Sequence, residues 1–245
     1  MTLLASGDGA SPRTRIKLCG MTRGEDVLLA GELGVDAIGL IFAACSPRRL
    51  ELERALALRE ALSPSVSVVA LLMDNPAEEV AAIVGRLRPH LLQFHGSEDD
   101  AFCAHFDMPF LKVVPMRGIA ADDVPALLAR YPSAAGFVFD GHAPGGAGGS
   151  GERFDWTQAA HQRIGRPWLL AGGLDACNVG EAIRTTAPWG VDVSSGIESA
   201  PGVKDHAQMH AFVAAVRAAD RERRGQTSQG QASQKQASQE TDEQG

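Results

Sequence analysis

Several things are scarce in this sequence, and each scarcity closes off a class of protein. Its 245 residues hold four cysteines, at positions 19, 45, 103 and 177, with no CxxC pair among them. That excludes a disulfide-stapled scaffold and argues for reduced thiols in a cytoplasmic protein. A zinc site made from these cysteines with His95 or His142 has no CxxC-type ligand pair to start from, so no metal is expected. The longest unbroken apolar run, 68–73, falls far short of the roughly 20 residues that span a bilayer. Residues 1–15 have only Leu3-Leu4-Ala5 as an apolar stretch, too little for an export signal. With 23 basic against 30 acidic residues and a net charge of −7, no basic field draws a polyanion, and neither nucleic acid nor membrane is an expected partner.

What is present is a chain 44% apolar, enough for one sizeable core. Residues 1–14 read as a flexible leader and 15–220 as the folded domain. Residues 221–245 turn Gln/Ser-rich, with a short Gln-Ala-Ser-Gln repeat, and have almost nothing to bury, so disorder is expected there. Between the tails, short β-rich apolar runs alternate with longer Ala/Leu/Glu/Arg stretches. Strands are expected at 15–19, 36–42, 66–72, 91–94, 110–114, 135–139, 167–170 and 191–194. Helices are expected at 24–33, 51–62, 76–87, 98–106, 121–130, 155–164, 176–186 and 203–219. Pro76 and Gly34 sit where a first-turn proline and a C-terminal glycine belong. Eight βα units predict an α/β fold, a single (β/α)8 TIM barrel of eight parallel strands. The alternative, a doubly wound open sheet, lacks a GxGxxG after its first strand.

In such a barrel the chemistry sits at the C-terminal ends of the strands. Those ends offer Cys19-Gly20, Ser46-Pro47-Arg48, Asp74-Asn75, Gln93 with His95-Gly96, Asp140, Gly172-Gly173 and Ser194-Ser195-Gly196. The glycine and serine turns after strands seven and eight, Gly172, Gly173, Ser195 and Gly196, stand where barrels hold a phosphate on exposed backbone N–H groups. Cys19 and Asp140 end strands nearly opposite each other in the ring and suggest a base and acid pair. Cys45, Cys103 and Cys177 read as buried structural thiols. Arg48 can clamp a carboxylate with two parallel N–H donors. His95 and Asp192 are weaker candidates for polar contacts. The glycine-rich segment 141–151 reads as a mobile active-site loop, and no Gly-Lys-Ser/Thr makes it a Walker-type phosphate loop.

Taken in order, these strand ends spell Lys17-Leu18-Cys19-Gly20-Met21-Thr22-Arg23, Ser46-Pro47-Arg48, Leu92-Gln93-Phe94-His95-Gly96, Asp140 before Gly148-Gly149-Ser150-Gly151, Leu170-Ala171-Gly172-Gly173-Leu174, Gly190 to Glu198, and Pro201-Gly202-Val203-Lys204-Asp205. The pattern, from about residue 15 to 216, closely resembles the phosphoribosylanthranilate isomerase family of tryptophan biosynthesis. The resemblance implies a cofactor-free Amadori rearrangement of a small phosphorylated substrate. In it Asp140 is the general acid, its carboxyl kept protonated by an enclosed site and an anionic substrate, and Cys19 the base. It also implies Arg48 on the anthranilate carboxylate and Gly173, Ser195 and Gly196 on the phosphate. Two departures stand out, a longer loop after Asp140 and Leu72-Met73-Asp74-Asn75 after strand three. Two rivals are weighed against this reading. A histidine-pathway aminoaldose isomerase would use two aspartates where this chain has Cys19, and a non-catalytic phosphometabolite-binding barrel would have no need of the Cys19 and Asp140 pair. A monomer is the default expectation, with a homodimer the alternative.

Overall fold

A computed structural model describes residues 13–141, 155–160 and 164–242. Eight parallel strands close into a barrel in chain order: β1 (Arg15–Cys19), β2 (Ala37–Ile41), β3 (Ser67–Leu72), β4 (Leu91–Phe94), β5 (Phe110–Pro115), β6 (Gly136–Asp140), β7 (Trp168–Leu170) and β8 (Gly190–Val193). The helices α1 (Gly24–Glu32), α2 (Leu52–Ala61), α3 (Ala77–Leu87), α4 (Asp100–Ala104), α5 (Val124–Ala129), α6 (Thr157–Ala160), α7 (Val179–Thr186) and α8 (His206–Asp242) alternate with them. The (β/α)8 architecture read from the sequence is the one observed.

Strand alternation divides the side chains between two environments. On β1, Ile16 and Leu18 join the large core beneath the helices, while Lys17 and Cys19 point into the barrel with Asp192 from β8. The lower interior is filled by Ala37, Val69 and Leu91 on one side and by Leu111, Val113, Val138 and Leu169 on the other, with Trp189 packed against both groups. The outer core is aromatic-rich around β4 and β5, where Phe94 meets Phe102 and Phe110 edge to face. Each buried aromatic there contributes on the order of 1.5–3 kcal/mol.

Closure brings β1 beside β8, with Lys17 opposite Asp192 in register. The start of β1 is fastened by Asp220 on α8, whose carboxylate accepts from the Thr14 amide at 3.0 and 2.9 Å and from the Thr14 hydroxyl at 2.7 Å. Asp36 takes the Arg13 guanidinium through two bonds and the Ile16 amide as well.

Departures from the sequence reading are local and have identifiable causes. A two-stranded antiparallel hairpin, β9 (Glu198–Ala200) and β10 (Val203–Lys204), stands where a helix was expected to begin at 203. Pro201 and Gly202, the latter at φ +79°, turn the chain there. Helix α7 starts at Val179 rather than 176, because Asp175 folds back to accept from the amides of Cys177 and Asn178. Helix α4 is limited to Asp100–Ala104, with Asp99 capping it by accepting from the Phe102 amide. Helix α8 runs to Asp242, past 219 and through a segment whose composition predicts no regular structure. Once a packed helix exists, its extension needs no new nucleus, and Gln, Ala, Glu and Lys are all adequate helix formers. Residues 1–12 of the expected leader 1–14, and residues 142–151 of the expected glycine-rich loop, lie outside the described residues; Arg13 and Thr14 are described and bonded to Asp36 and Asp220.

Candidate active site

The C-terminal ends of the strands surround one cavity. All nine residues singled out from the sequence line it: Cys19, Arg48, His95, Asp140, Gly172, Gly173, Asp192, Ser195 and Gly196. Its remaining wall is largely apolar, with Ile41, Ala43, Leu71, Met73, Leu174 and Val193. A mostly apolar cleft with a few convergent polar groups is the usual form of a small-molecule site.

Cys19 is the last residue of β1, and its buried sulfur occupies space that the neighbouring strand leaves vacant. A Cβ at Gly39 would lie 2.6 Å from that sulfur, so only glycine permits the thiol to stand where it does. Asp140 is the last residue of β6 and is likewise buried at the cavity wall.

Arg48 is buried rather than lying on the surface beside Arg49. Its guanidinium is already engaged: Nε and Nη2 donate to Glu198 on β9 at 2.8 and 2.6 Å. Lys204 on β10 reaches the same carboxylate at 2.7 Å and also donates to the Cys19 carbonyl at 2.6 Å and the Ser194 carbonyl at 3.1 Å. The hairpin thereby ties together the ends of β1 and β8 and holds the arginine at the cavity edge. Burial works against the Glu198 carboxylate, but the hydrogen bonds and charges of Arg48 and Lys204 outweigh it and hold its pKa below the ordinary glutamate value. Burial pulls Lys204 below the ordinary lysine value, in spite of Glu198.

Beneath the thiol lies a second buried pair. Lys17 Nζ sits 2.7 Å from Asp192 Oδ2, with Lys17 wholly inaccessible. Burial disfavours the Lys17 ammonium, yet Asp192 and Cys19 together keep its pKa above the ordinary lysine value. Burial pushes the Cys19 thiol up, and Lys17 and Lys204 pull it back toward ionisation. Burial also raises Asp192, with Asp140 adding to the rise and Lys17 opposing it.

The turns after β7 and β8 line the same cavity. Gly172 and Gly173 have φ +85° and +62°, a conformation that costs glycine nothing and any other residue about 1 kcal/mol or more. Asn178 pins this turn by donating to the Gly173 carbonyl and accepting from the Asp175 amide. Gly196 packs so closely on the Leu174 carbonyl that a Cβ could not be accommodated. Backbone thus approaches backbone here, and only glycine fits. Three buried polar atoms on the cavity residues, Gln93 Oε1, Asp192 Oδ1 and Ser194 Oγ, have no protein partner. Such atoms suit the hydroxyl groups of a polyol ligand.

Sequence reasoning assigned no role to Lys17, Glu198 or Lys204. Lys17 had a signal, a charged residue in the middle of an apolar strand. The partnership of Glu198 with Arg48, 150 positions apart, had none. The remaining cysteines divide: Cys103 is buried as expected, whereas Cys45 and Cys177 are exposed, Cys45 at the cavity rim and Cys177 in the turn before α7. Both sit in polar turns that no helix or strand covers. Among the described residues, no helix is long and apolar enough to cross a membrane.

Comparison with known proteins reaches the same site. Residues 16–215 match the family model described as N-(5′-phosphoribosyl)anthranilate isomerase. The isomerase of that name from Xanthomonas euvesicatoria is 57% identical over 212 residues, covering 85% of this chain and 95% of the relative. Among solved structures, the phosphoribosylanthranilate isomerase of Thermus thermophilus superposes with TM-score 0.74 at 35% identity, over 84% of this chain and 99% of that one. A second, solved with reduced 1-(o-carboxyphenylamino)-1-deoxyribulose 5-phosphate, gives TM-score 0.73 at 29% identity, over 84% and 99% of the two chains. A third, from Thermotoga maritima, is of monomers generated from a dimeric enzyme. It gives TM-score 0.71 at 28% identity, over 83% and 98%.

Proposed function

The chain belongs to the N-(5′-phosphoribosyl)anthranilate isomerase family, and from that premise we propose how its own residues carry out the reaction. It is an isomerase of tryptophan biosynthesis, converting N-(5′-phosphoribosyl)anthranilate to 1-(2-carboxyphenylamino)-1-deoxyribulose 5-phosphate by Amadori rearrangement. Asp140 donates its proton to the furanose ring oxygen, and the aminal opens to an iminium. The Cys19 thiolate then removes the C2′ proton, and the C–H electron pair moves into the C=C of an enolamine that tautomerises to the ketone. The adjacent C=N⁺ acidifies that proton, so a base as weak as a thiolate suffices.

Arg48, held through Nε and Nη2 by Glu198, takes the anthranilate carboxylate with the rest of its guanidinium. Backbone N–H groups around Gly172, Gly173, Ser195 and Gly196 take the phosphate. Asp192 and His95 face the sugar between these two anchors. The observation that carries the assignment is that Cys19 and Asp140, from β1 and β6, line one cavity together with a held arginine and a glycine-rich backbone turn. The enzyme acts as a monomer in the cytoplasm. The absence of any CxxC pair among the four cysteines supports the location, and the monomer is supported by Leu28 being, among the described residues, the one exposed large hydrophobic.

The test follows the loss of anthranilate-type fluorescence in wild type, Cys19→Ala and Asp140→Asn, with spontaneous substrate hydrolysis subtracted. Each variant is expected to lose about 10²-fold or more in kcat while still binding a product analogue. Retained turnover in either variant would remove that residue from the mechanism.

A further inference from the structure

Lys17 is a buried ionisable group to which the isomerisation as written gives no task. It lies two residues before Cys19 on the same inward face of β1, with no exposure to solvent. A buried ion pair is weak support for a fold, since well-packed apolar residues usually serve stability as well or better. The location of this pair is more informative than its strength. Lys17 Nζ is bonded to Asp192 Oδ2 on the adjoining strand, and its charge favours ionisation of the Cys19 thiol against the effect of burial.

The other charged groups around the thiol are engaged elsewhere. Lys204 on the hairpin and Arg48 after β2 both influence Cys19, yet both are bonded to Glu198. Asp140 on β6 acts on Asp192. Among these groups, Lys17 alone shares both the strand and the inward face of Cys19. Its counterion Asp192, on the adjoining strand, fixes it there. A base that works at neutral pH needs its charged form favoured locally, and a fixed, water-excluded cation provides that.

We propose that Lys17, held in place by Asp192, is the positioning residue whose fixed charge sustains the thiolate form of Cys19. The proposal rests on Cys19 as the base of the isomerisation. In the proton-transfer step the C2′ proton goes to the sulfur, the C–H electron pair enters the enolamine, and Lys17 stays protonated, its charge still balanced by Asp192.

The experiment measures iodoacetamide labelling of Cys19, read at the peptide level by mass spectrometry, against pH. It compares wild type, Lys17→Met and the neutral double variant K17M/D192N, which leaves no unpaired buried carboxylate if the single variant fails to fold. The expected result in Lys17→Met is a labelling midpoint raised by one pH unit or more, with labelling at pH 8 slowed about tenfold; in K17M/D192N, which also removes the opposing Asp192 charge, the midpoint is expected to rise by less. In Lys17→Met, kcat is expected to fall in parallel, with the loss shrinking as pH rises and KM little changed. A purely structural role would lower stability without moving the labelling profile. A double variant that is folded, by circular dichroism, and labels with the wild-type profile would overturn the proposal. Because labelling needs no substrate, a shifted profile with unchanged kcat in Lys17→Met would uphold the action of Lys17 on the sulfur and overturn Cys19 as base.

Discussion

Cys19 owes its place as much to a missing side chain as to its own chemistry. Gly39, its neighbour across β1 and β2, would as alanine put a Cβ 2.6 Å from the sulfur and 3.1 Å from the Cys19 Cα. The strand backbone cannot yield easily, so the thiol must move. Overpacking of this kind costs about 1–3 kcal/mol, and a displacement near 1 Å at a reacting atom costs about 10²-fold in rate. Gly39→Ala is therefore expected to fold, to melt several degrees lower, and to lose about 10²-fold in kcat with KM little affected. Steady-state fluorescence kinetics beside a thermal melt would read this, and an unchanged kcat would mean the sulfur is not held where the mechanism needs it. The sequence exposed the two ends of this arrangement unequally. Cys19 was conspicuous because it closed an apolar run at a strand end. Gly39 lay inside an apolar run, where nothing marks a glycine as making room for a distant atom.

At the scale of elements, β1 is secured at both ends by contacts far away in sequence. Its C-terminal end is held by Lys204 from the hairpin, and its N-terminal end by Asp220 from α8, which takes three hydrogen bonds from Thr14. Asp220→Ala leaves the buried Thr14 amide and hydroxyl without that acceptor, a loss of about 1–3 kcal/mol. In a domain of this size that is a melting point lower by about 2–12 °C. Thr14 precedes β1, at the end of the barrel away from the cavity, so kcat is expected to stay near wild type at temperatures where the variant is folded. A large loss of kcat at full folding would show the two ends of β1 to be coupled. The strands and their alternation with helices were legible along the sequence, because each βα unit buries its own apolar face; the bounds of α4, α7 and α8 were not. The hairpin was not, because what fixes it is a buried Glu198 meeting partners from two other units, and no local pattern encodes that meeting.

For the whole molecule, the remaining matter is whether one copy suffices. Among the described residues, the cavity and the proposed acid, base and phosphate-type turns all come from a single chain. A stable homodimer usually buries about 800 Å² per partner around an apolar centre. Among the described residues the only exposed large hydrophobic is Leu28 on α1, 54% exposed, and one leucine does not make such a centre. The net charge of −7 adds repulsion between copies, strongest at low ionic strength. Light scattering at micromolar concentration is therefore expected to give the mass of one chain, 25.8 kDa, in both low and moderate salt. Activity per chain is expected not to change on dilution. A mass of two chains that survives Leu28→Ser would place an interface on residues outside the described set or on polar surface, and would overturn the monomer.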